Sequence, residues 1–136
     1  MSLEGTSYTP IEQNDTLSIM IRYLTTPFLT NTSLSDRAYK AIDSINKQLV
    51  LHPFLNLDVH VHSSTADDDR SNYMTSTRWS SWVYQQLTQF KKNRNRIRMI
   101  AHGAAQPIQA ELPKAISNSR IDFQLWVDPL YFTSDN

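Results

Sequence analysis

Apolar residues in this chain recur at two periods, every second residue and every third or fourth, and the switches between them mark out its elements. From Leu17 to Leu24, Leu17, Ile19, Ile21 and Tyr23 alternate with Ser18 and Arg22, which predicts a half-buried strand. A loop follows through Pro27 and residues 30–33. Ser33 or Ser35 is then placed to cap a helix with Asp36 in its first turn, favourable to the dipole, and Ala38, Ile42, Ile45 and Leu49 recur at helical spacing until Pro53 ends the run. Leu57, Val59 and Val61 alternate with Asp58, His60 and His62 in a second predicted strand. Beyond a polar, acid-bearing loop, a helix predicted to start near Thr75 or Ser76 puts Trp79, Trp82, Val83, Leu87 and Phe90 on one stripe. Ile97, Met99 and Ala101 read as a third strand. Gly103, Pro107 and Pro113 punctuate a loop with room for a short helical piece around Glu111 to Ile116. The last strand runs from about Arg120 to Val127, with Ile121, Phe123 and Leu125 on one face. Residues 6–14 are polar, contain Pro10 and show no periodicity, so they read as an extended lead-in.

The order β-α-β-α-β-β implies a two-layer α+β sandwich, a mixed four-stranded sheet with its helices on one face. Arg22, His60, His62, Arg98 and Gln124 would then share the opposite, partly wet face. Any site is expected between the central strand and the Trp-rich helix, because ligands of open α/β sheets sit beyond the carboxyl ends of strands.

At 136 residues and 40% hydrophobic the chain fits one globular domain, expected over residues 15–128 with a tail at 129–136. Residues 1–14 are read as a lead-in whose first five, Met1 to Gly5, look vector-derived, so that a native targeting segment or anchor is expected to have been lost ahead of them. The formal net charge is zero, so no whole-molecule field steers toward nucleic acid or an anionic membrane. There is no cysteine, which removes disulfides, thiolate nucleophiles and Cys-based zinc sites together. No apolar run reaches the roughly 18 residues that would span a bilayer.

Local chemistry offers few catalytic readings. No G-x-S-x-G elbow occurs, and two glycines cannot build a phosphate cradle, so neither an enzyme nor a bound cofactor is expected. His60 and His62 point to one face of a strand, a spacing used for paired metal ligands, and a metal-dependent hydrolase built on them is a remote alternative to a solvated histidine face. The basic run Lys91 to Arg98 could meet phosphates or lipid headgroups. It lacks interleaved aromatics, so a nucleic-acid partner is not expected.

Several blocks in order resemble the C-terminal domain of outer-membrane protein A and its relatives, the peptidoglycan-associated lipoprotein and the flagellar stator domains. Arg96 to Ile108, RIRMIAHGAAQPI, resembles the family's strand followed by G-Y-G-x-x-x-P, with Ala101, His102, Gly103 and Pro107 at matching spacing. Asn118 to Leu125, NSRIDFQL, resembles N-R-R-V-x-I-x-L, placing Asn118 and Arg120 on motif positions. Asn72, Ser76, Val83 and Leu87 fall on positions of N-x-x-L-S-x-x-R-A-x-x-V-x-x-x-L. Val59 to Ala66 stands where the family has I-x-V-x-G-H-T-D.

The resemblance implies a periplasmic domain of a Gram-negative envelope protein, tethered to the outer membrane, whose aspartate and arginine hold the diaminopimelate of a peptidoglycan stem peptide. A carboxylate takes the ammonium, and a guanidinium takes the carboxylate with a bidentate fork. This chain departs at both charges. The G-H-T-D slot reads Ser63, Ser64, Thr65, Ala66, with Asp67 one place late, and the arginine slot reads Trp79, with Arg78 one place early. A one-residue shift on a helix turns a side chain by about 100°. The expectation is therefore a degenerate pocket on a retained scaffold, with Trp79 as an exposed docking aromatic for envelope proteins, within an assembly of secretion-system type such as a type IV core. Stem-peptide binding through Asp67 and Arg78 is the alternative.

Overall fold

The computed structural model describes residues 7–13, 16–30, 33–65, 68–89, 91–107 and 118–132. Strands β1 (Ser7–Gln13), β2 (Thr16–Leu24), β3 (Leu55–His62), β4 (Ile97–Gly103) and β5 (Arg120–Val127) form one sheet in the order β1-β2-β5-β3-β4. β5 runs antiparallel to both β2 and β3, while β3 and β4 are parallel, so the sheet is mixed. The four strands expected from periodicity are all present. The lead-in adds a fifth: β1 pairs antiparallel with β2, from Ser7↔Arg22 to Gln13↔Thr16. Pro10 lacks an amide proton and is confined to such an edge strand.

The helices are α1 (Thr25–Phe28), α2 (Asp36–Leu51) and α3 (Asp69–Leu87). Ser35 caps α2: its Oγ accepts from the Ala38 amide at 3.2 Å and donates to the Phe28 carbonyl at 2.7 Å. α3 starts at Asp69 instead of near Thr75 or Ser76, capped by Asp68, whose carboxylate accepts from the Ser71 amide at 2.9 Å. The start escapes a hydrophobic reading because the buried stripe of its first half is polar, through Asn72, Ser76 and Ser80.

α2 and α3 cover one face of the sheet. Ile42, Ile45 and Leu49 of α2, Val83 and Leu87 of α3, Leu57, Val59 and Val61 of β3, and Ile121 and Phe123 of β5 are fully buried in a single core. Each such side chain stabilises the fold by about 1.5–3 kcal/mol relative to exposure. The Tyr23, Phe28 and Phe123 rings close its end, with centroids 4.8 to 6.1 Å apart.

A 3-10 helix, Lys91–Arg96, precedes β4, and a second, Pro129–Phe132, occupies part of the expected tail. Arg96 ties the first in place, donating to the carbonyls of Leu49 (2.7 Å), His52 (2.8 Å) and Leu55 (2.9 Å). The expected helical piece at 111–116, Phe90 and Asp67 lie outside the described residues. No helix among the described residues is long and apolar enough to cross a membrane.

Candidate functional site

The carboxyl ends of β2 and β3 meet the start of β5 and the first half of α3 at one end of the sheet, where the sequence placed the site. The segment Ser63–Thr65 leaves β3 there and is held by neutral hydrogen bonds on every side. The Ser64 amide donates to Ser119 Oγ at 2.8 Å, the Thr65 amide to Asn72 Oδ1 at 2.9 Å, and the Ser63 amide to the Gly103 carbonyl at 2.9 Å. The Gly103 amide in turn donates to Ser76 Oγ at 3.0 Å, and Ser76 Oγ donates to the Tyr73 carbonyl at 2.8 Å. Gly103 has φ +57, and a Cβ there would stand 3.0 Å from the Tyr73 nitrogen. Only glycine brings β4 this close to the helix backbone.

Ser63, Ser64, Asn72, Ser76, Asn118 and Arg120 are thus brought together as buried residues of one clasp, with Thr65 at its exposed lip. Ser119 is a member the sequence reading missed. Its signal was its place between Asn118 and Arg120, where a buried hydroxyl replaces a larger side chain of the resembled motif. Its carbonyl also accepts from the Thr25 amide at 3.3 Å, joining the start of α1, just past β2, to the clasp.

The two displaced positions on α3 separate. Trp79 is only 8% exposed and belongs to the core, which corrects its expected role as an exposed docking aromatic. It lies on the same stripe as Asn72, Ser76 and Val83, so the helix turns it inward. Arg78 is exposed and stands over the Trp82 ring, 6.0 Å from its centroid. Trp82, expected in the core, packs only partly against it and lines a groove of about 370 Å³ with Leu34, Tyr39 and Gln86. Arg78 therefore points away from the clasp.

The sheet face opposite the helices is drier than expected. Asp122, 3% exposed, accepts both arms of the Arg22 guanidinium at 2.8 and 3.0 Å and the Arg120 Nε at 3.2 Å. Beside it His60, His62 and His102 form a stack, with His62 and His102 centroids 4.4 Å apart. Gln124 Oε1 accepts from His60 Nε2 at 3.0 Å, so a neutral His60 accepts at Nδ1 from His102 Nε2, 2.9 Å away. His62 is 3% exposed, and its Nδ1 has no hydrogen-bond partner among the described residues.

Burial, then the positive charge of Arg120 and the neighbouring His102, push the His62 pKa down to about 3 against the pull of Asp122. Burial and His60 lower His102 as well. The remote metal reading finds no support in this geometry. Both His60 nitrogens are engaged, the His62 ring lies flat on His102, and no three histidine or carboxylate side chains among the described residues are grouped to hold an ion.

The mixed sheet with two helices on one face matches the OmpA-like fold. The periplasmic domain of MotB from Helicobacter pylori aligns with a TM-score of 0.72 at 18% identity, over 96% of this chain and 87% of that one. The OmpA-like domain of FopA1 from Francisella tularensis gives 0.68 at 15% identity, over 90% of this chain and 79% of that one. The cell wall anchor of the T6SS from Pseudomonas aeruginosa gives 0.62 at 16%, over 88% and 87%. At these identities the likeness is one of fold. Neither a family model nor a curated protein matches the sequence.

Proposed function

We propose that this chain is a non-catalytic, periplasm-facing module of a Gram-negative envelope protein, an OmpA-like scaffold that docks within an envelope assembly and no longer grips a stem peptide between paired charges. The observation that carries this reading is the divergence of Trp79 and Arg78. The slot facing the clasp holds an indole packed in the core, and the nearest guanidinium on α3 lies over Trp82 on the exposed side. Among the described residues the clasp presents hydroxyls and amides already bonded to one another, and its guanidinium, Arg120, is engaged by Asp122, so none of them offers a zwitterion an unengaged charge. The solved structures it resembles include a periplasmic domain and a cell wall anchor, which supports an envelope setting. Attachment to the outer membrane through an N-terminal anchor, and a place in a secretion machine of the type IV core kind, belong to the same proposal and rest on the resemblance.

The docking aromatic of this reading is Trp82, with Tyr39 and Arg78 beside it, because an aromatic under a guanidinium at a groove is the composition of an interface anchor. Crosslinking in intact envelopes is expected to capture protein neighbours, and Trp82→Ala to weaken that capture while the domain stays folded. Capture unchanged in the folded Trp82→Ala protein overturns the role given to this groove.

A further inference from the structure

The end of the domain opposite the clasp has a different character. It lies at the other end of β3, whose eight residues span about 26 Å at roughly 3.3 Å per residue. There the last turn of α2, the start of β3 and the two 3-10 helices converge. Arg96 reaches the carbonyls of Leu49, His52 and Leu55, the Asp128 amide donates to the Phe54 carbonyl at 2.8 Å, and the Phe54 and Tyr131 rings are 6.4 Å apart.

Large apolar side chains stand out into solvent at this end. Val50 is 60% exposed, Leu51 67%, Leu130 71% and Tyr131 47%. Basic residues flank them. Lys47 is exposed one turn before Val50 and Leu51 on α2, Arg94 is exposed on the 3-10 helix, and the sequence KKNRNR of that helix carries no acid. Among the described residues the acids nearby are Asp43, one turn back from Lys47, and Asp128, whose carboxylate accepts from the Leu130 amide at 3.0 Å.

Protruding aliphatic side chains rimmed by lysine and arginine are the composition of a surface that lies on a bilayer, where the apolar tips enter the headgroup boundary and the cations meet phosphates. Protein interfaces are instead depleted in lysine and gather aromatics at a desolvated centre. We propose that this pole seats the domain on an anionic lipid bilayer, through Val50, Leu51, Leu130 and Tyr131 in the headgroup region and Lys47 and Arg94 at the phosphates. A neutral whole-molecule charge is no obstacle, because the attraction acts within a Debye length of the surface. The clasp would then face away from the lipid. This inference stands on the pole alone and does not depend on what the clasp binds.

The test is co-sedimentation with phosphatidylcholine vesicles, with and without phosphatidylglycerol. Binding is expected only with the anionic lipid and is expected to weaken as salt is raised. The pair Leu51→Ser with Leu130→Ser, and separately Lys47→Gln with Arg94→Gln, should each lower the bound fraction by roughly tenfold, with circular dichroism unchanged. No binding of the unaltered protein overturns the proposal, as does binding that neither pair of substitutions changes. Sedimentation velocity covers the other occupant: a self-associated species dispersed by Leu51→Ser with Leu130→Ser, without vesicle binding, assigns the pole to a second copy of the chain and also overturns it.

Discussion

The His62 ring lies flat against the His102 ring, planes within 4° and centroids 4.4 Å apart, on a sheet face that also buries Asp122 and Arg120. Two aromatic bases in such contact, next to a guanidinium, are stable only while neutral.

The consequence is a loss of stability in mild acid. The folded state holds His62 down to about 3 and lowers His102, whereas the unfolded chain titrates both near 6.5. Below about 6.5 the unfolded chain therefore takes up protons that the native state refuses, and stability falls as pH drops from there toward 3. Urea unfolding across that window should show the decline. His62→Leu, which also removes the partnerless Nδ1, should make it shallower; an equal slope in the variant contradicts this account.

Asp122 is the counter-charge for two guanidiniums, one of them almost fully buried. Asp122→Ala leaves Arg120 without its carboxylate inside the sheet and should cost about 3–5 kcal/mol, as for other broken buried pairs. Arg22→Ala should cost less, since that side chain is 32% exposed. Chemical denaturation gives both values, and equal losses would place the burden elsewhere.

Gly103→Ala should destabilise by about 2–3 kcal/mol. It forces a left-handed residue to carry a Cβ against the backbone nitrogen and Cα of Tyr73, which cannot swing aside as a side chain could. The altered clasp should show in the amide resonances of Ser63 and Ser76.

Arg96 spends its guanidinium on three carbonyl oxygens at the end of α2 and the start of β3. Arg96→Lys keeps the charge but loses the fork, so it should recover little of the roughly 1–3 kcal/mol lost in Arg96→Ala. Thermal unfolding of both variants checks this.

Where burial is apolar, the sequence announced it. α2, β3 and β5 appear at their periods because each buries an aliphatic stripe, and β5 appears with its observed ends; β2 and β4 keep the period although Leu17 and Ile19 are exposed and Ile97 and Met99 only partly buried. Where burial is polar, the pattern is silent. The first half of α3 hid behind Asn72 and Ser76, and the strand before β2 hid behind Pro10 and polar residues. The face carrying Asp122 and His62 alternates like a wet face although it is closed by ion pairs. The choice between Trp79 and Trp82 turned on a buried stripe whose first half, Asn72 and Ser76, is polar and so unmarked by hydrophobicity, and the clasp's Ser119 needed the pairing of β3 with β5 to be seen at all.

In the proposed function the clasp has lost its paired charges while the scaffold has kept its shape. Co-sedimentation with purified peptidoglycan sacculi tests it most directly. Pelleting at background is expected for the unaltered protein, with no change in Arg78→Ala. Pelleting well above background that Arg78→Ala or Asp67→Ala abolishes would contradict it.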